Sequence, residues 1–329
     1  MNTNTIRWGI IATGNIANKF ATGLKELPDA ELVGVASRSL DKARQFAKEF
    51  AVPKAYGSYE ELAQDSDIDA IYIGTPHPYH LANVLLCLEH GKAILCEKPL
   101  AVNSKEANLM IEKAREKQLF LMEALWTRHL PVWVQIRKWL DQGLIGEIRL
   151  LTADFSFLSN TNDPQHRRYN PELAGGALLD IGIYPLALAY DIFKEEPEEV
   201  QSTFHPFHTG VDESSAYLLR YANGAIASLT SSFAGQGSME AVITGTKGTI
   251  RVPFFWKAQS ASVQLSGEDV QHHSFPYPAT GLQCQASTMM ECLRAGKLES
   301  ELMPHSESLR LIGRMDSLRQ SWGLTYPYD

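Results

Sequence analysis

The four cysteines, Cys87, Cys96, Cys284 and Cys292, are scattered, with no C-x-x-C pair and no Cys/His ligand spacing. That excludes a zinc module and a disulfide framework, and predicts reduced cysteines in the core or on helices. Positive charge is also scarce. With 30 Lys and Arg against 38 Asp and Glu the chain carries a net charge of −8, the wrong sign for the broad phosphate-neutralising surface that nucleic-acid binding requires. The N-terminus lacks a basic stretch followed by a signal-length apolar run, and no segment approaches the ~20 apolar residues of a membrane span. A cytoplasmic protein without membrane or nucleic-acid partners is therefore expected. Internal repeats and low-complexity tracts are missing too.

The 329 residues are 44% hydrophobic and 21% charged, enough for two domains with sizeable cores. From residue 6 to about 126 short apolar runs such as IRWGIIA, AELVGVAS, AIYIGT, AILCEKP and LFLMEALW alternate with amphipathic stretches. This predicts an α/β Rossmann domain over residues 1–126, built on a doubly wound parallel sheet. Beyond it, PVWVQIRKWLDQG reads as a helix and EIRLLTADFSF as a strand. From residue 199 onward alternating strands are joined by Asn-Gly and Lys-Gly turns, with helices expected near 281–295 and 305–322. Residues 127–329 are thus expected to form an α+β domain with a large open, mainly antiparallel sheet.

Ligands of a doubly wound sheet bind beyond the carboxyl ends of its strands. The first strand runs into GIIATGNIANKF, where Gly9, Gly14 and Ala17 sit in a relaxed dinucleotide-binding turn. In the strict G-x-G-x-x-G pattern only the central Gly14 survives, since Ala12 and Ala17 hold the outer positions. Gly9, Ala12, Thr13, Gly14, Asn15 and Ile16 are candidates for the pyrophosphate cradle. At the end of the second strand an NAD-selective site places Asp or Glu; Ser37 and Arg38 stand there instead. A hydroxyl and a guanidinium suit a 2′-phosphate, so NADP(H) is favoured and NAD(H) is the alternative. Thr75, Pro76, His77 and His80 follow the fourth strand beside the cofactor. The two histidines lack the further ligands of a metal site.

AILCEKPL, residues 93–100, places Glu97 and Lys98 directly behind an apolar run and closes with proline. Downstream, GGALLDIGIYP at 175–185 holds Asp180 and Tyr184 four apart, one face of a helix, although Pro185 disfavours helical backbone in the residue before it. With the nucleotide turn, the EKP element and this Asp-x-x-x-Tyr, the chain resembles over essentially its whole length the glucose-fructose oxidoreductase/inositol dehydrogenase family (Gfo/Idh/MocA). MEALWTRHLP and LLDIGIYP look most like the branch containing dimeric dihydrodiol dehydrogenase. The resemblance implies that Lys98 lies by the nicotinamide and contacts the reacting oxygen, that Glu97 contacts the cofactor region, and that Pro99 fixes the turn. It also implies a homodimer or higher oligomer formed through the C-terminal sheet.

The chemistry implied is hydride transfer between a nicotinamide cofactor and a sugar, polyol or diol carbon. An ammonium ~4 Å from a phenolate at an effective dielectric of ~20 stabilises it by about 4 kcal/mol, which is how a lysine turns a tyrosine into a working base. Tyr184 is expected to move the hydroxyl proton, Lys98 to polarise the same oxygen and Asp180 to orient the pair; the rival assignment gives the proton to Lys98. Trp126, Arg128, Phe155, Phe157 and Trp256 are candidate substrate walls, since flat aromatic faces suit a sugar ring or a cyclic diol. The polar stretch NDPQHRRYNPE, with Arg167 and Arg168, is expected to lie beside the pocket or at a subunit contact.

Overall fold

The structure is a computed structural model and describes residues 5–329. Its strands form two sheets. By Cα proximity one unit runs to His129 and takes in Pro278–Ile312, and the other comprises Leu130–Tyr277 with Gly313–Asp329.

In the first unit β1 (Ile6–Ile11), α1 (Asn15–Leu24), β2 (Ala30–Ala36), α2 (Leu40–Phe50), β3 (Lys54–Tyr56), α3 (Tyr59–Gln64), β4 (Ala70–Ile73), α4 (His80–Glu89), β5 (Ala93–Glu97), α5 (Ser104–Lys117) and β6 (Leu121–Ala124) follow in order. The sheet order is β3-β2-β1-β4-β5-β6 and every pairing is parallel. This is the expected doubly wound sheet, with its order reversing at β1 and β4. The three-residue β3 and six-residue α3 are too short for a periodic signal and were not among the elements the sequence suggested.

Local chemistry explains where helices start. Ser58 accepts from the Glu61 N–H at 3.2 Å, and Asn103 accepts from the Glu106 N–H at 2.9 Å while Glu106 reaches back to the Val102 N–H. In the core Trp8 meets Phe20 edge to face and Phe20 stacks on Tyr72 at 3.8 Å. Each such ring contributes about 1.5–3 kcal/mol by leaving water.

The second unit holds α6 (Pro131–Asp141), β7 (Ile148–Ser156), α7 (Ile183–Phe193), β8 (Glu199–Pro206), β9 (Asp212–Arg220), β10 (Ile226–Ser232), β11 (Glu240–Gly245), β12 (Gly248–Pro253), β13 (Ser260–Leu265) and β14 (Gln271–Ser274). Its sheet order is β14-β13-β12-β11-β7-β10-β9-β8, antiparallel except where β10 runs parallel to β7. The Asn-Gly turn stands between β9 and β10, with Gly224 at φ +80 and the Asn223 side chain accepting from the Ala225 N–H. Pairing puts Leu150 opposite Ile226 and Leu218 opposite Ser228, on one face, where Leu150, Leu218 and Ile226 remain 46%, 48% and 40% exposed.

Two helices close the chain, α8 (Gln283–Arg294) and α9 (His305–Trp322). In the first unit α8 packs on α1, and Arg294 pairs with Asp29 at 2.6 Å. One expectation needs correction. The stretch Pro171–Phe193 is long and apolar enough to cross a membrane, but 94% of its most apolar window is buried, so it belongs to the core of the second unit.

Candidate active site

The first unit gathers the nucleotide residues at the carboxyl edge of its sheet. Ala12, one residue past β1, adopts φ +97, a conformation that glycine takes without strain and alanine does not. The turn therefore keeps the shape of the dinucleotide pattern with an alanine in its first position. Gly14 immediately precedes α1, and a Cβ built there meets no protein atom within 4 Å. No side chain caps α1 and no acidic residue enters its first turn, unlike α2, α3 and α5. Open N–H groups, the positive end of the helix dipole and clear space fit a pyrophosphate. Thr13, Asn15 and Ile16 belong to this turn. Gly9 lies inside β1, where a Cβ would come within 3.0–3.2 Å of Leu62 on α3 and of Ile68, so its smallness lets the layer above pack closely.

Ser37 and Arg38 directly follow β2, and the exposed Arg38 guanidinium lies 5.6 Å from the centre of the Tyr79 ring. That contact places the end of β2 beside the segment after β4, which contains Thr75, Pro76 and His77. His80 is fully buried, and its ring nitrogens lie 2.9 Å from the Thr75 and Pro99 carbonyl oxygens. Burial lowers its pKa, while the facing Thr75 and Pro99 carbonyl oxygens work in the opposite direction. This histidine works by tying two turns together.

Glu97, at the end of β5, is buried; the Tyr72 hydroxyl donates to its Oε1 at 2.6 Å, and its Oε2 accepts from the Lys98 N–H at 3.3 Å. The Lys98–Pro99 peptide is cis. Just beyond it the Leu100 N–H donates to Glu123 on β6 at 2.9 Å. Burial pushes its carboxyl up to about 7, against the Ser308 hydroxyl and the Leu100 N–H. Its signal in the sequence is a charge inside an apolar strand. Trp126 and Arg128 lie in a 3₁₀ turn after β6. Arg128 pairs with Glu307 at 3.0 Å, both side chains largely buried.

In the second unit residues Leu178–Gly182 form a π-helical turn that runs into α7. Pro185 follows this π turn, and the wider bonding of the turn accommodates the N–H that proline lacks. Asp180 and Tyr184 are each 7% exposed. Arg167 pairs with Asp180 at 3.1 Å, bringing the polar loop to this carboxylate, a partnership that spacing could not give. The Tyr184 ring packs 5.4 Å from Phe155, and Phe155 stacks on Trp256 at 3.9 Å. Phe157 lies beside Phe155 at 6.2 Å and under the Arg168 guanidinium. Three of the proposed wall residues thus join Tyr184 in one cluster.

A family described as oxidoreductases with an NAD-binding Rossmann fold matches residues 6–125, and the GFO/IDH/MocA C-terminal domain matches 133–251. The chain is 40% identical over 337 residues to a trans-1,2-dihydrobenzene-1,2-diol dehydrogenase of Mus musculus, covering 98% of this chain and 99% of that protein. The corresponding protein of Xenopus tropicalis is 41% identical over 330 residues, with the same coverage. Among solved structures, a 3-ketoreductase from Actinomadura kijaniata in complex with NADP and TDP-benzene superposes with a TM-score of 0.83 at 26% identity, over 96% of this chain and 98% of that one. A parallel sheet with a relaxed nucleotide turn, the EKP turn after β5 and a second domain that matches on its own make this chain a member of the Gfo/Idh/MocA oxidoreductase family.

Proposed function

We propose that the protein is an NADP(H)-dependent oxidoreductase that interconverts a secondary alcohol and a ketone on a sugar, polyol or trans-dihydrodiol. The observation that carries this reading is the surroundings of Tyr184: a buried phenol against the Phe155–Trp256 stack, one helical turn from an Asp180 paired with Arg167. A hydroxyl-bearing ring finds there an apolar plate for its face and polar groups for its edge. The relatives named as dihydrodiol dehydrogenases and the ketoreductase solved with NADP support the same substrate class and cofactor.

When bound, the nicotinamide dinucleotide supplies or accepts the hydride. Gly14 and the start of α1 hold its pyrophosphate, and Ser37 with Arg38 receives the 2′-phosphate. Lys98 polarises the substrate oxygen, Tyr184 takes its proton in the oxidative direction and returns it in the reductive one, and Asp180 orients them. Residues 1–126 serve the cofactor; residues 127–329 serve the substrate and self-association. A second copy of the chain covers the sheet face bearing Leu150, Leu218 and Ile226, giving a homodimer or higher oligomer. The four unbridged cysteines fit a reducing, cytoplasmic setting.

The test is a spectrophotometric screen with both nicotinamide cofactors over ketoses, osones, dicarbonyls and trans-dihydrodiols. Turnover with a higher kcat/KM for NADP(H) is the expected result. Preference for NAD(H) overturns the cofactor assignment, and tight NADPH binding without turnover of any compound turns the reading toward a nucleotide-sensing regulator.

A further inference from the structure

The segment that presents Asp180 and Tyr184 begins without a cap of its own. Gly175 and Gly176 precede it, and no nearby side chain accepts its first N–H groups. An uncapped, buried helix start is costly. The acceptor comes from 34 residues away. Asp212, the first residue of β9 and fully buried, takes the Leu178 N–H on Oδ2 at 2.7 Å.

The surroundings are fitted to this contact. Gly176 has φ +120, and any Cβ there collides with Asp212 Oδ1, so the position requires glycine for both conformation and room. Ser215 donates to Asp212 Oδ2 at 3.3 Å and sits 2.5 Å from the Tyr217 hydroxyl, which is 3.0 Å from the Ser231 hydroxyl. A Cβ on Gly182 falls 2.8 Å from Tyr217 Oη and 3.0 Å from Ser231 Oγ, so this hydroxyl trio lies directly against the π turn. On the other flank the Tyr326 hydroxyl donates to the Gly175 carbonyl. Side chains from β9, β10 and the C-terminal segment thus converge on residues 175–182. Burying a carboxyl is costly, and the contacts that offset this cost go to the Leu178 N–H and the Ser215 hydroxyl.

We propose that Asp212 is the positioning residue of the catalytic helix, a distant N-cap that fixes the turn from which Asp180 and Tyr184 act. The inference rests on the reaction proposed above and adds to it the group that sets the geometry of its acid–base residues. Misplacement of reacting groups by about 1 Å costs on the order of 100-fold in rate.

The experiment compares Asp212→Ala, Asp212→Asn and Ser215→Ala in the full-length protein, by steady-state kinetics with NADP(H) and by hydrogen exchange of the Leu178–Ile183 amides. In Asp212→Ala, kcat falls about 100-fold while the KM for NADP(H) stays within about twofold, and protection is lost in this turn alone. Asp212→Asn, whose amide oxygen accepts the same N–H, restores most of both. Unchanged kcat and protection in Asp212→Ala overturn the proposal, as does a parallel loss of kcat, KM and protection throughout the chain. Should Asp212→Ala fail to fold, Ser215→Ala decides: opening confined to Leu178–Ile183 supports the proposal, and an unaltered turn overturns it. Hydrogen exchange needs no substrate. A wild-type protein that turns over no compound therefore defeats the assigned reaction, while the exchange data still settle the role of Asp212.

Discussion

In the first unit the Glu123 carboxyl takes the N–H of Leu100, two residues past Lys98; in the second, Asp212 takes the N–H of Leu178, two residues ahead of Asp180. Both carboxyls are fully buried, and in both burial raises the pKa to about 7. Their surroundings differ. Glu123 stands on β6, beside the strand that ends in Glu97, with Cys96 as its register partner; the charge of Glu97 opposes its ionisation and that of Arg128 favours it. Asp212 faces the N-terminus of a helical turn, with Ser215 and Tyr217 from β9, Arg319 from α9 and Tyr326 from the C-terminal segment around it. A loop between neighbouring strands is held by the adjacent strand, whereas a helix crossing a sheet has to be held from beneath.

The largest effect should separate the groups that react from those that hold them. Lys98→Met should lower kcat by about 1,000-fold with cofactor affinity largely intact, as read by NADPH fluorescence titration and turnover. A Tyr184→Phe pH–rate profile then assigns the proton: loss of the ionisation seen in wild type gives it to Tyr184, and its survival gives it to Lys98. Arg38→Ala tests the first unit by itself. With a charge-assisted phosphate contact removed, the NADP-to-NAD ratio of kcat/KM should fall about tenfold to a hundredfold, and an unchanged ratio assigns Arg38 to the surface.

The holding groups should respond more modestly. Glu123→Ala leaves the Leu100 N–H without its acceptor and should cost about 1–3 kcal/mol in urea unfolding, with Glu123→Gln recovering part of the loss. The two carboxyls also make stability depend on pH. The folded state holds these protons more tightly than the unfolded chain. As pH rises from the ordinary carboxylate range near 4 toward about 7, the unfolded chain releases its protons first, and stability falls by at most about 1.4 kcal/mol per pH unit for each group. Above that window the penalty is complete and the slope vanishes. Asp212→Asn should flatten its share of the slope; an unaltered slope would show that Asp212 stays ionised throughout. The smallest effect belongs to the open sheet face, where Leu218→Lys should lower the apparent mass in light scattering if that face joins two copies.

Much of the first unit could be read in the sequence because its signals are local. Strand runs, helix periodicity, the turn after β1 and the EKP element all lie within windows of a dozen residues. Even there, spacing could not show that Gly9 lies inside β1 under α3, or that Arg128 meets Glu307, 179 residues away. The second unit was readable in outline, with helices at 283–294 and 305–322 close to where they were expected. The edge strands β8 and β14, and β13 beside the latter, were not singled out, since β8 alternates among mostly polar residues and β14 is the polar QHHS.

The sequence by itself determined the alternation that makes a parallel sheet and the turn shaped for a dinucleotide, because each is written in residues a few positions apart. Only the tertiary structure decided what holds Asp180 and Tyr184. The π turn that accommodates Pro185, the Arg167–Asp180 pair and the Asp212 cap depend on a buried polar group meeting a partner at close range in space but far along the chain. Such contacts are selected by packing and by the cost of leaving a buried group unpaired, and neither leaves a periodic mark in the sequence.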